Sequence, residues 1–229
     1  KNGIDLFGPY WLSHEGEANI GMKHLATMMT NLGISLRSLG KFDSSLYYHT
    51  ESYNLKVEIE ASSKIIAREM VNIGNVYSSM DRNSEAIEYF NEANKQFIEL
   101  NDNFYKRICY NNIGLAFKRM GDTIQAISNY EESLKISRAT KNRRGIATSL
   151  INLSSLYFGL GETTKAENAL LEALPLSKEI NDKQLISTSI QNLANIYFET
   201  GHYKKSLEFA IEANKIISET HEMVLQEEN

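Results

Sequence analysis

The chain has 229 residues, 42% of them hydrophobic, a formal net charge of −5 and only 2 prolines, Pro9 and Pro175. That is enough apolar material for a sizeable core, and so little proline points to helix, because proline removes a backbone donor and breaks helices. The negative charge excludes a general nucleic-acid binder, which needs a basic surface to displace counterions. The 1 cysteine, Cys109, rules out an intrachain disulfide framework. No apolar run reaches the length of a membrane span. These properties fit the cytoplasm, and equally the periplasm if a leader has been removed, since the chain opens on Lys1 rather than Met.

Residues 1–15 form a non-repeat N-terminal arm. The run Phe7-Gly8-Pro9-Tyr10-Trp11 reads as a loop or extended arm, with Ser13 as a cap for the first long helix. Phe7 and Trp11 are candidates to cover the apolar end of the adjoining helical array.

Residues 16–229 form an array in which one pattern returns five times. It reads NLGISLRSLG from Asn31, NIGNVYSSMD from Asn72, NIGLAFKRMG from Asn112, NLSSLYFGLG from Asn152 and NLANIYFETG from Asn192. The copies run at about 26–66, 67–106, 107–146, 147–186 and 187–226. In each, an apolar residue (Leu32, Ile73, Ile113, Leu153, Leu193) precedes a small one (Gly33, Gly74, Gly114, Ser154, Ala194). A large one (Leu36, Tyr77, Phe117, Tyr157, Tyr197) comes three residues later. With Met29, Met70, Tyr110, Leu150 and Ile190 they fall on one face of a helix. Gly40, Asp81, Gly121, Gly161 and Gly201 mark the turn, where a left-handed residue ends the helix.

A second helix then carries small inward residues: Ser45, Ala86, Ala126, Ala166 and Ser206, and again Ser52, Ala93, Ser133, Ala173 and Ala213. Small residues let the two backbones approach closely. Asp102 and Asp182 stand where the next first helix starts, as N-caps. Pro175, well inside the second helix of the fourth copy, is expected to kink it. One hairpin cannot bury its apolar face alone, so the copies must stack. His221 to Gln226 align with Asn181 to Ile186, the approach to a further first helix.

These five copies resemble the tetratricopeptide repeat. Two features depart from the usual form: the repeat is longer, and the usual tryptophan and closing proline are absent. The longer form is similar to kinesin light chains, spindle-orientation adaptors, Bacillus Rap regulators and bacterial sensor proteins. The resemblance implies an all-α fold, a right-handed α-solenoid of five antiparallel helix pairs. It also implies that the free face of the first helices lines a concave groove for peptides.

Positions −4, −1, 0, +3 and +7 from the repeated asparagine share that free face. Asn31, Asn72, Asn112, Asn152 and Asn192 place one amide there per copy. An amide offers donors and an acceptor, so it can bond both N–H and C=O of a peptide main chain. Helices about 10 Å apart and a peptide advancing about 3.3 Å per residue would meet at roughly every third residue. The other reading has these asparagines bonding to neighbouring helices. Copies one to three add Arg37, Arg68, Asn75, Asn111, Lys118 and Arg119. This basic stretch suits an acidic side chain or a terminal carboxylate. Copies four and five add Thr148, Ser155, Thr188, Gln191, Asn195 and Glu199, with Phe158 and Phe198 to meet an apolar ligand residue. The carboxylate clamp of chaperone-binding members is not reproduced as a whole.

No catalytic or metal-binding arrangement stands out. His14, His24, His49, His202 and His221 lack metal-ligand spacing, and neither a phosphate-binding glycine loop nor a nucleophile elbow occurs. Cys109 lies beside a core position and reads as a packed residue. No cofactor is expected. The leading reading is a non-catalytic module that binds a protein or extended peptide as an adaptor or scaffold. A second is the ligand-sensing domain of a larger bacterial signalling protein. A Rap-type phosphatase would need an N-terminal bundle, for which about fifteen residues are too few. A scaffold that self-associates through exposed ends is a further reading.

Overall fold

The computed structural model describes residues 8–227, with side chains for 19–215. Among the described residues the chain is all-α, ten helices without a strand. They are α1 (Gly8–Ser38), α2 (Phe42–Glu58), α3 (Ser63–Ser79), α4 (Asn83–Glu99), α5 (Asn103–Arg119), α6 (Thr123–Ala139), α7 (Arg143–Gly159), α8 (Thr163–Glu179), α9 (Lys183–Glu199) and α10 (Tyr203–Glu227). The chain divides into two units, Lys1–Tyr105 and Lys106–Asn229. In the first, α1 packs on α2, α2 on α3 and α3 on α4. In the second, α6 packs on α7, α7 on α8, α8 on α9 and α9 on α10. Alternate first helices also touch, α1 with α3 and α7 with α9.

The small residues of the second helices lie buried as their spacing requires: Ala86, Ala126 and Ala166 in one row, and Ser52, Ala93, Ser133 and Ala173 in the next. Their size lets aromatic side chains press onto the facing backbone. Phe90 sits against Gly74 and Tyr130 against Gly114, so closely that a Cβ added at either glycine would come within 3.0 Å of the ring. Ser45 Oγ and Ser206 Oγ donate to the Gly33 and Ala194 carbonyls at 2.7 and 2.8 Å. These bonds satisfy hydroxyls that would otherwise be buried without partners.

The turns inside each pair are left-handed at Gly40, Asp81, Gly121, Gly161 and Gly201. The turns between pairs use the same conformation on residues that the sequence did not single out, Glu60, Asn101, Lys141 and Asn181. At Lys141 the motif is complete: its N–H bonds the Arg138 carbonyl at 3.1 Å and the Asn142 N–H bonds that of Ser137 at 2.9 Å. Asp102 and Asp182 cap the following helices, accepting from the Tyr105 and Leu185 N–H groups at 3.1 Å each. Asp122 and Asn142 do the same for Gln125 and Gly145, at 3.0 and 2.8 Å.

Two expectations are corrected. The loop over Gly8 to Trp11 is helical, and Ser13 lies inside α1 rather than at its cap. Proline at the start of a helix costs little, because its missing N–H has no intrahelical partner there. The covering role of Phe7 and Trp11 falls on side chains outside the described residues. Leu32, placed on the packing face, is 42% exposed, whereas Ile73, Ile113, Leu153 and Leu193 are buried; among the described residues α1 packs against α2 and α3. At Pro175, α8 runs on without a break over a 17-residue span equal to those of α7 and α9. The carbonyl deprived of a donor belongs to Leu171, on the exposed side where water can serve it.

Candidate functional site

In the first unit, a pocket of ≈ 230 Å³ opens on the free face of the first helices. Its walls are Thr27, Thr30 and Asn31 of α1, Lys56 of α2, and Ile65, Arg68, Glu69 and Asn72 of α3. Asn31, Arg68 and Asn72 thus come together as the helical spacing requires. Arg37 and Asn75 sit on the same two helices outside the pocket walls. The Arg68 guanidinium lies 5.5 Å from the centre of the Tyr105 ring.

The floor of this pocket was not anticipated. Glu69 is 1% exposed. Its Oε1 accepts from His49 Nδ1 and its Oε2 from Lys56 Nζ. Thr30 Oγ1 donates to Oε2 at 2.9 Å, and Asn72 Nδ2 approaches it at 3.5 Å. Lys56 Nζ also donates to Thr30 Oγ1 at 2.8 Å. Burial raises the Glu69 pKa, but the hydrogen bonds and charges of His49 and Lys56 outweigh it, and the net shift is downward.

A carboxyl whose folded pKa is depressed contributes stability above its unfolded pKa and loses it as pH falls through the folded value. The unfolding free energy should therefore fall as pH drops below the ordinary value of 4.5. In a variant carrying His49→Tyr, Lys56→Ser and Glu69→Ser, that slope should be shallower. Equal slopes in chemical denaturation at stepped acid pH would refute the linkage.

In the second unit, Asn112, Asn152 and Asn192 stand half-buried on α5, α7 and α9. They do not form a uniform row of free amides. Asn152 Nδ2 donates to Asn111 Oδ1 at 3.1 Å, and Asn111 Nδ2 stands 3.5 Å from Asn112 Oδ1. Lys118 Nζ donates to Ser155 Oγ at 2.6 Å. Here the amides link α5 to α7, because side chains that share a face across adjacent first helices reach one another. Crowding by its neighbours holds the Lys118 pKa below the usual lysine value.

A smaller pocket of ≈ 80 Å³ lies between α7 and α9, lined by Ser154, Ser155, Phe158, Asn192, Asn195 and Ile196. Gln191 is exposed beside it on α9. Phe198 packs edge-on against Tyr203 instead of lining it. Arg119 is exposed on α5, and its charge reaches the buried Tyr130 phenol. Cys109 is buried, and burial pushes its thiol up to about 12, so it carries no thiolate near neutral pH. Among the described residues no group of His, Cys, Asp and Glu could hold a metal ion, and no helix is long and apolar enough to cross a membrane.

A tetratricopeptide-repeat profile matches residues 24–99, 66–139, 105–179 and 145–219, which together cover most of the chain. The chain is a tetratricopeptide-repeat protein. Its fold is similar to that of BtubC from P. vanneervenii, with 18% identity, 88% of this chain and 83% of that one covered, and a TM-score of 0.77. It is also similar to a Rap protein complexed with competence and sporulation factor, with 17% identity, 85% and 54% covered, and a TM-score of 0.75. A third similar fold is that of NprR in complex with its cognate peptide NprX, with 18% identity, 82% and 54% covered, and a TM-score of 0.65. At these identities the likeness concerns the fold. This tetratricopeptide-repeat chain spans about half the length of the Rap protein and of NprR. No curated protein matches it.

Thr27 and Thr30 hold positions −4 and −1 of the free face, whereas spacing alone missed His49, Lys56 and Glu69. A signal for two of them was present. At the positions corresponding to Lys56 copies two to four carry Phe97, Ser137 and Ser177, and at those corresponding to Glu69 copies three to five carry Cys109, Ser149 and Ser189. All six of these counterparts are buried. A charge at a repeat position that is otherwise apolar or small marks a site built for a purpose other than packing.

Proposed function

We propose that this tetratricopeptide-repeat chain is a non-catalytic binding module for an extended peptide or protein segment. The segment is held on the free face of the first helices. The observation that carries the reading is the recurrence of asparagine beside an open pocket in each unit: Asn31 and Asn72 in the first, Asn192 and Asn195 in the second. Amides at such places can pair with a main chain without regard to its sequence. The fold likeness to NprR in complex with its cognate peptide NprX, and to a Rap protein complexed with competence and sporulation factor, supports the reading. The same geometry serves an adaptor and the ligand-sensing part of a longer signalling protein.

The test separates binding from structural roles. Asn31→Ala, Asn72→Ala and Asn192→Ala together should weaken peptide capture about tenfold or more, at about 1 kcal/mol per lost bond, while the thermal melt is little changed. Asn152→Ala should instead lower stability by about 1 kcal/mol, because Asn111 loses its partner. Unchanged capture by the folded triple variant would sink the reading.

A further inference from the structure

We propose that the buried charges between α2 and α3 are a register key: they admit the first helix pair against α3 and penalise its stacking on any later first helix. The device acts on assembly and is independent of what the array binds.

The need for a key follows from the repetition itself. Each second helix meets a first helix built on the same size pattern, so a pair can stack one or two copies out of place. The skipped pairs are then looped out or supplied by a second chain. Repeat arrays nucleate at many places and misassemble in this way, and a longer loop adds little entropic cost. Elsewhere in the array apolar bulk opposes such slips. α4 buries Ala86, Phe90, Ala93 and Phe97, and α8 buries Ala166, Ala169, Leu170 and Ala173. α2 has no such row: among the described residues its buried side chains are Ser45, His49, Ser52 and Lys56, all polar. Shape alone therefore says little about where the first pair belongs.

The four polar residues divide the work. Ser45 and Ser52 donate to the Gly33 and Ala26 carbonyls at 2.7 and 2.8 Å, which ties α2 to α1 of its own pair. His49 and Lys56 reach the next pair instead, and both bond the Glu69 carboxylate of α3. That acid stands at one junction only. At its position the later first helices carry Cys109, Ser149 and Ser189. None is an anion near neutral pH, since burial pushes even the Cys109 thiol up to about 12. Stacked on any of those helices, α2 would bury Lys56 without a counter-ion. The converse holds for Glu69: the later second helices offer Phe90 and Phe97, Tyr130 and Ser137, or Leu170 and Ser177, and no cation. A buried ion left alone disfavours each such stacking about a hundredfold or more. In the native stacking the ions gain little over a neutral layer, for Tyr130, Ser137 and Ser149 are equally buried without charge. What the charges add is discrimination.

The test sets refolding fidelity against stability in the full chain. His49→Tyr/Lys56→Ser/Glu69→Ser, which copies the neutral layer of Tyr130, Ser137 and Ser149, should refold from urea with at least the stability of the wild type. It should nevertheless return in more than one stacking. Hydrogen exchange read by mass spectrometry should give two isotope envelopes for peptides of α1 to α3, where the wild type gives one. The second population should exceed that of the wild type about tenfold or more. Gel filtration should resolve swapped oligomers that grow with chain concentration during refolding. A triple variant that refolds with wild-type fidelity overturns the key. So does one that fails to refold, because the ions would then be needed to form the layer at all. A second envelope that comes with lost stability and no swapped oligomer is fraying of the first pair, and overturns it as well. A wild type that itself returns in mixed stackings has no key.

Discussion

Glu69→Ala is expected to lower the unfolding free energy by about 3–5 kcal/mol, the range for removing one partner of a buried ion pair. The substitution deletes the carboxylate that His49 and Lys56 share, and both of those side chains are buried. Lys56 is left to shed its proton or to stay charged without a counter-ion, and either is costly. In a repeat fold each pair leans mainly on its neighbours, so the loss should concentrate in α1 to α3. Hydrogen exchange should show those amides exchanging faster, with those of α7 to α9 little changed. The triple variant that copies Tyr130, Ser137 and Ser149 should match or exceed the wild type, because it removes all the charges at once. A loss of less than about 1 kcal/mol in Glu69→Ala would show that the network is not what holds this layer.

Phe90→Ala should cost about 3–5 kcal/mol, from lost transfer energy plus the cavity left behind. Phe90 is 1% exposed and presses on the backbone of α3 at Gly74. The more discriminating result comes from pairing it with Gly74→Ala. In the wild type, a Cβ at Gly74 would stand 2.6 Å from Phe90 Cε1, so Gly74→Ala should destabilise. Once Phe90 is alanine that clash is gone, and glycine to alanine inside a helix gains up to about 1 kcal/mol from propensity. The sign of the Gly74 effect should therefore reverse, and a double-mutant cycle by urea denaturation measures it. Additive effects would mean that the glycine is not reserved for the ring.

The two substitutions mark different depths of legibility. Gly74 before Val76 and Tyr77, and Ala86 and Ala93 on the next helix, repeat in size across the copies, so the packing could be read without coordinates. The same holds for the turn at Gly121 and the caps at Asp102 and Asp182, which act through bonds a few residues long. The left-handed turns at Glu60 and Lys141 escaped because neither residue favours that conformation; neighbouring helix ends impose it. Within the candidate site, Asn31, Arg68 and Asn72 were placed by helical period alone. Lys56 was hidden because it reaches the pocket from a second helix, which the period assigned to the core.

By itself, then, the sequence determined the helix pairs, their facing small residues and the face left free, because each depends on a period or a short-range bond. Tertiary structure decided which polar groups on that face are already spent. Asn152 meets Asn111, and His49 and Lys56 meet Glu69, only because side chains on different helices come into register. Helical period fixes the direction of a side chain and is silent about its partner on the next helix. For that reason one repeated asparagine can link helices in the second unit, while another borders a pocket with a charged floor in the first.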